Sequence, residues 1–185
     1  MKAARAHEVR LIGGLWKRSK LPVADRPGLR PTPDRVRETL FNWLGQDLGG
    51  WRCLDAFAGS GALGFEAASR GAAEVVLLER DAVLARSLRA SQLRLQAQAL
   101  RIEVADALAW MARCEPARFD LVLLDPPFDA GLMDRALILA AALVVAGGFV
   151  YVEAGAPVRH WPAELEPWRE SRAGHVHFRL LRRNG

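Results

Sequence analysis

Asp125-Pro126-Pro127-Phe128 closes an apolar run that begins at Phe119, and it sets an acid, two prolines and an aromatic ring side by side. Two adjacent prolines fix two φ angles and withdraw two backbone N–H donors, so a central strand cannot continue through them and the nearby carbonyls stay open. The result is a rigid pocket rich in hydrogen-bond acceptors. With the Asp125 carboxylate at its entrance and the Phe128 ring as a flat platform, it suits a planar group carrying an exocyclic amine, such as a nucleobase. A strand that simply ends in a proline turn is the plainer reading of the same residues.

A second constellation lies upstream. Gly59-Ser60-Gly61-Ala62-Leu63-Gly64 has the G-x-G-x-x-G spacing, follows a short apolar run, opens a helical pattern, and is trailed by Glu79 twenty residues after Gly59. That pattern alone fits a dinucleotide fold. Asp55, four residues ahead of the first glycine, points elsewhere: it would set negative charge against a pyrophosphate, yet it can accept from a cationic amine. A Gly-x-x-x-x-Gly-Lys-Ser/Thr element is absent, so a phosphate-gripping loop is not supported. Asp55-Ala56-Phe57-Ala58-Gly59-Ser60-Gly61 resembles the first motif of class I S-adenosylmethionine-dependent methyltransferases. On that resemblance the glycines let the backbone approach S-adenosyl-L-methionine, Glu79 takes the ribose hydroxyls, and Asp106 accepts from the adenine amine. Phe57, Ser60, Arg80 and Ala107 complete the implied cofactor set.

In the same class, a fourth strand ending in Asp/Asn-Pro-Pro-aromatic looks like the signature of enzymes that methylate a planar amino nitrogen. Such an amine is a poor nucleophile because its lone pair is delocalised into the ring. Accepting from its two N–H groups, at Asp125 and at a carbonyl near Pro126, would hold the nitrogen and favour a lone pair aimed at the methyl carbon. Phe128 would stack on the base, which must leave any helical stack to enter. Asp125, Pro126, Pro127 and Phe128 are therefore the candidate catalytic residues, and no metal is expected.

The elements that must carry these residues alternate. Val9 to Leu21 reads as a short hairpin around Gly13-Gly14; Thr32-Pro33 reads as the N-cap and first turn of a helix with Val36, Leu40, Trp43 and Leu44 on one face. Strands follow at 53–57, 74–78, 101–104, 119–124 and 149–153, with helices at 61–69, 82–95, 107–113 and 132–145 between them, and 176–181 reads as a last, antiparallel edge strand. Strand–helix alternation implies right-handed crossovers and a mostly parallel sheet covered on both faces. The expected architecture is α/β, a Rossmann-like class I methyltransferase sheet at residues 46–185, with a small basic hairpin and helix extension at 1–45.

Charge is segregated along the chain. Residues 1–37 hold ten Lys and Arg against three acids and residues 157–185 hold six against three, whereas the body between them is net acidic. Basic ends around an acidic body suggest a polyanion partner. Lys17, Arg18, Lys20, Arg30, Arg35 and Arg37 are the candidates for RNA phosphate contacts, and the last three crowd a helix start where an anion is needed to offset the dipole. Cys53 and Cys114 have no metal-type spacing, and neither a membrane span nor a secretory signal is indicated, so a cytoplasmic monomer with no membrane partner is expected.

The whole chain resembles the RsmD family of bacterial 16S ribosomal RNA guanine-N2 methyltransferases. The resemblance runs from Arg10-Leu11-Ile12-Gly13-Gly14 through Leu29 to Leu44, the glycine motif and Asp125 to Phe128, to Ala173-Gly174. Its specific part is Arg30 to Leu44, which generic methyltransferases lack. It implies methylation of one loop guanine, with assembled or assembling small ribosomal subunits as partner. From the residues alone an adenine-N6 methyltransferase, a protein glutamine methyltransferase and a non-catalytic RNA-binding assembly factor stay open.

Overall fold

Val9 opposite Leu21 gives the first hairpin its buried side and fixes the register of His7–Arg10 (β1) against Lys20–Val23 (β2). The computed structural model describes residues 7–24, 31–127 and 131–185. Asp34–Trp43 (α1) follows, burying Val36, Arg37, Leu40 and Phe41. Thr32 does not cap this helix. Pro33 occupies the cap position without a side-chain bond, and the Thr32 hydroxyl turns instead toward the strand ends described below.

Beyond the arm the chain alternates as Arg52–Asp55 (β3), Ala62–Ser69 (α2), Glu74–Glu79 (β4), Ala82–Leu95 (α3), Leu100–Val104 (β5), Ala107–Met111 (α4), Phe119–Leu124 (β6), Met133–Leu143 (α5) and Val144–Ala154 (β7). Leu165–Ala173 (β8) and Val176–Arg183 (β9) end it. The sheet order is β5-β4-β3-β6-β7-β9-β8, with β3 to β7 parallel and the last two strands antiparallel. From β3 the chain winds outward to β5 and then returns to β6 on the other side of β3. The reversal leaves a crevice at the carboxyl ends of β3 and β6, where such sheets bind ligands.

Strands buried on both faces read as apolar runs, as Val75 to Leu78 of β4 and Leu121 to Leu124 of β6 do. On one face Cys53, Leu77, Leu123, Tyr151 and Leu180 pack with Leu21, Leu40 and Phe41 of the arm and Phe65 of α2. On the other, Leu54, Val76, Val122 and Val150 pack with Met111, Ala136 and Leu137 of α4 and α5. The arm thus shares a core with the sheet. Trp43 stacks on Phe178 and Trp51 on Phe149, which makes both indoles packing groups. The antiparallel edge is two strands rather than one, because Leu165–Ala173, a charged segment broken by Pro167, pairs with β9 through a register shift at Pro167 to Arg169. Among the described residues no helix is long and apolar enough to cross a membrane.

Candidate active site

Side-chain alternation brings four acids onto one face at the strand ends. Cys53, Leu77, Leu123 and Tyr151 face the arm from four neighbouring strands, and two residues further along each of those segments stand Asp55, Glu79, Asp125 and Glu153. Asp55 pairs with Leu77 and Leu123 and so lies within the last apolar layer, one step below the other three. Leu124 pairs with Val152, so the next position sets Asp125 beside Glu153.

Asp55 is 1% exposed, and its Oδ2 accepts from the Gly64 N–H at 2.9 Å. Burial pushes its pKa up to about 7; the Glu79 charge adds to the rise, and bonds from the Gly64 and Phe57 amides oppose it. Gly64 is required here because a Cβ would lie 3.0 Å from that Asp55 oxygen and 2.9 Å from Leu77 Cγ. Glu79 braces the loop, its two oxygens accepting from Gly59 N–H at 3.0 Å and Asp81 N–H at 2.8 Å. Asp106 is exposed and its Oδ1 caps α4 by accepting from Ala109 N–H at 2.8 Å. Gly61, Ser60 and Phe57 lie in the loop between β3 and α2, Arg80 is exposed just past β4, and Ala107 is the buried first residue of α4.

At β6, Asp125 is partly buried, Pro126 buried and Pro127 exposed. Asp125 Oδ2 lies 3.3 Å from Thr32 Oγ1, which in turn lies 3.1 Å from Glu153 Oε2. The Tyr151 hydroxyl donates to that same Glu153 oxygen at 2.9 Å. Burial, then the facing carboxylates of Glu153 and Asp55, hold the Asp125 pKa well above the usual range; burial also raises Glu153, against the bonds from Tyr151 and Thr32. Phe128 and Arg30 lie outside the described residues.

The arm is joined to the site through α2. Glu66, fully buried, accepts from Ile12 N–H at 3.0 Å, Gly13 N–H at 2.8 Å, Arg37 Nη1 at 3.2 Å and Arg70 Nε at 3.0 Å. Arg37 also donates to the Arg10 and Thr32 carbonyls and to Asp34. Its expected role as a phosphate contact is therefore corrected: the guanidinium is 0% exposed, and the anions that meet it are the protein's own. Lys17, Arg18, Lys20 and Arg35 are exposed, Lys20 pairing with Glu8 at 2.8 Å. Thr32, Glu66, Tyr151 and Glu153 were not picked out as site residues from the sequence. Glu153 had a signal, an acid ending an apolar strand as Asp125 does.

A parallel sheet of this order, with a glycine turn after its first strand and acids at successive strand ends, defines a class I methyltransferase fold. The family model described as conserved hypothetical protein 95 matches residues 9–182. Ribosomal RNA small subunit methyltransferase D of Escherichia coli strain K12 is 42% identical over 182 residues, covering 95% of this chain and 90% of that one. Its Haemophilus influenzae counterpart is 47% identical over 135 residues, 71% of this chain and 70% of that one. The solved structure of yhhF from Escherichia coli superposes with a TM-score of 0.86 at 38% identity, covering 96% of this chain and 99% of that one. The chain belongs to this family, the RsmD family.

Proposed function

We propose that the protein transfers a methyl group from S-adenosyl-L-methionine to the exocyclic N2 of one guanine in 16S ribosomal RNA, as a cytoplasmic monomer acting on assembled or assembling small subunits. The observation that carries this reading is Asp125, an acid followed by two prolines, set across the crevice mouth from Asp55 and the glycine turn. The named relatives act on small-subunit ribosomal RNA, which supports that substrate. Residues 1–45 serve as the RNA-binding extension and 46–185 as the catalytic domain. Lys17, Arg18, Lys20 and Arg35 present the exposed charge for phosphate, and Arg30, outside the described residues, is assigned the same role from its place in the sequence.

The residues present fit the cofactor. A buried carboxyl with a raised pKa favours a cationic partner, and beside Asp55 the glycine turn packs so closely that a Cβ at Gly61 would lie 2.6 Å from Leu88 and one at Gly64 3.0 Å from Asp55 itself. Asp55 would take the amino group, Glu79 the ribose hydroxyls and Asp106 the adenine amine, with Phe57, Gly59, Ser60, Gly61, Arg80 and Ala107 around them. When bound, the sulfonium supplies an electrophilic methyl. Asp125 and the carbonyl before Pro127 accept from the guanine amine and orient its lone pair, and Phe128 stacks on the base.

Cofactor binding is expected to be linked to proton release. A cationic amine favours ionised Asp55, whose pKa burial pushes up to about 7, so affinity should climb as pH rises through 7 and fall again above about 8, where the ligand's α-amine loses its proton. Calorimetry in buffers of differing ionisation enthalpy counts the proton. Substrate choice is tested by incubating the protein and a labelled methyl donor with unmodified small subunits, free ribosomal RNA or duplex DNA and mapping the product. Label on a guanine N2 of the small subunit is expected; label in DNA or on adenine overturns the proposal.

A further inference from the structure

Beside Asp125 runs a line of oxygen atoms that amine binding does not use. Thr32 Oγ1 bridges Asp125 Oδ2 at 3.3 Å and Glu153 Oε2 at 3.1 Å, and Tyr151 anchors Glu153 from the other side at 2.9 Å. Thr32, Tyr151 and Glu153 are all buried. A threonine hydroxyl has one proton to give. It can satisfy one of its two carboxylate neighbours, and the other is left facing lone pairs unless it carries a proton of its own. We propose that Glu153, reached through Thr32, takes up the proton that methyl transfer releases at Asp125, an inference that rests on reading Asp125 as the amine-holding group.

Charge balance supplies the reason. A bound sulfonium brings positive charge to a cleft walled by Asp55, Glu79, Asp125 and Glu153. As the amine nitrogen bonds to the methyl carbon, the carbon–sulfur bond breaks with its electron pair left on sulfur, and the nitrogen holds one proton more than the neutral product. The carboxylates lose a counter-charge at that moment, and their proton affinity rises. Asp125 accepts the proton from nitrogen and donates from Oδ2 to Thr32 Oγ1, while the threonine's own proton passes to Glu153 Oε2. Asp125 is again a carboxylate and Glu153 is a neutral acid. One methyl and one proton have moved, and once product has left the proton passes back through Thr32 to partly exposed Asp125 and from there to solvent. Thr32 and Glu153 are thus positioning residues for proton release. Among the described residues, the ionisable groups facing the pair are Asp55 from β3 and Tyr151 from β7. On β9 the partner of Glu153 is uncharged Phe178, and Arg37 of α1 addresses the Thr32 carbonyl rather than either carboxylate.

The test is single-turnover methyl transfer to unmodified small subunits across pH, with carbon NMR titration of the carboxyl groups in the ligand-free protein. Thr32→Val and Glu153→Gln should each slow transfer by about 10²-fold, the usual scale of a positioned proton acceptor. Thr32→Ser, which keeps the hydroxyl, should restore most of the rate. Glu153→Gln should also move the acid limb of the rate profile to lower pH, because Asp125 loses its anionic neighbour, whereas Thr32→Val, which removes a bond that favours the ionised carboxylates, should move that limb to higher pH. In the ligand-free protein the Asp125 and Glu153 signals should titrate together, and Asp125 should titrate alone and lower in Glu153→Gln. If Thr32→Val does not fold, Glu153→Gln, close to isosteric, decides on the same two readouts. Wild-type transfer by Glu153→Gln alongside a dead Asp125→Ala would overturn the relay and leave the proposed function standing. Wild-type transfer by Asp125→Ala would sink the reading beneath both.

Discussion

Replacing Asp125 with alanine is expected to slow single-turnover methyl transfer by about 10³-fold, the scale of losing a preorganised electrostatic contact in a closed site, while small-subunit binding holds. The proposed binding surface is the exposed charge of Lys17, Arg18, Lys20 and Arg35, whereas Asp125 is partly buried at the end of β6 and meets the arm through Thr32. A filter-binding assay beside the rate measurement separates the two. Loss of binding in step with the rate would mean that the variant had disturbed the arm.

Asp125→Asn should go further and raise the melting temperature while lowering the rate. The folded-state pKa of Asp125 stands well above its unfolded value near ~3.9, so the folded protein binds more protons than the unfolded chain at neutral pH, and stability falls as pH rises. An amide removes that cost and the repulsion from Glu153. Melting curves from pH 5 to 8 should slope downward for the wild type and less steeply for Asp125→Asn. A lower melting temperature for the variant at pH 8 would contradict the assignment of a buried acid pair.

The second large effect is on stability. Glu66→Gln strands the guanidinium groups of Arg37 and Arg70, of which the first is wholly buried, and weakens the seat for the Ile12 and Gly13 amides. Breaking a buried pair by removing one partner costs about 3–5 kcal/mol, which for a chain of this size is roughly 10 °C in melting temperature. Arg37→Met should do the same and release the Thr32 carbonyl as well. Melting by circular dichroism checks both. A change of less than about 1 kcal/mol would show that water replaces the lost bonds.

Much of the site was legible because it obeys a local rule. Strand alternation and register carry Asp55, Glu79 and Asp125 to one edge, and an apolar run ending in an acid reveals each of them. Arg37 was misread because its charge is visible in the sequence while its partner Glu66 stands far along the chain and turns inward. Thr32 was misread for a similar reason: Thr-Pro before a helix has the form of a cap, but its hydroxyl bonds to strand ends distant in sequence. Leu165–Ala173 was passed over because an edge strand needs little apolar character, and this one carries Glu166, Arg169, Glu170 and Arg172 and is interrupted by proline.

Helix α2 is eight residues long and buried throughout. Its first turn follows the glycine loop, and its last turn holds the arm, with Leu15 N–H on the Ser69 carbonyl, Trp16 N–H on Ser69 Oγ, and Gly14 so close that a Cβ would sit 1.8 Å from that carbonyl. The arm is the first part of these segments to be synthesised, but its seat does not exist until residues 52–79 have emerged and paired. The earliest segment therefore cannot be the first to become ordered. In native-state hydrogen exchange the amides of Ile12, Gly13, Leu15 and Trp16 can outlast α2 by nothing, so their protection reads out the integrity of the glycine loop from the far end of the helix.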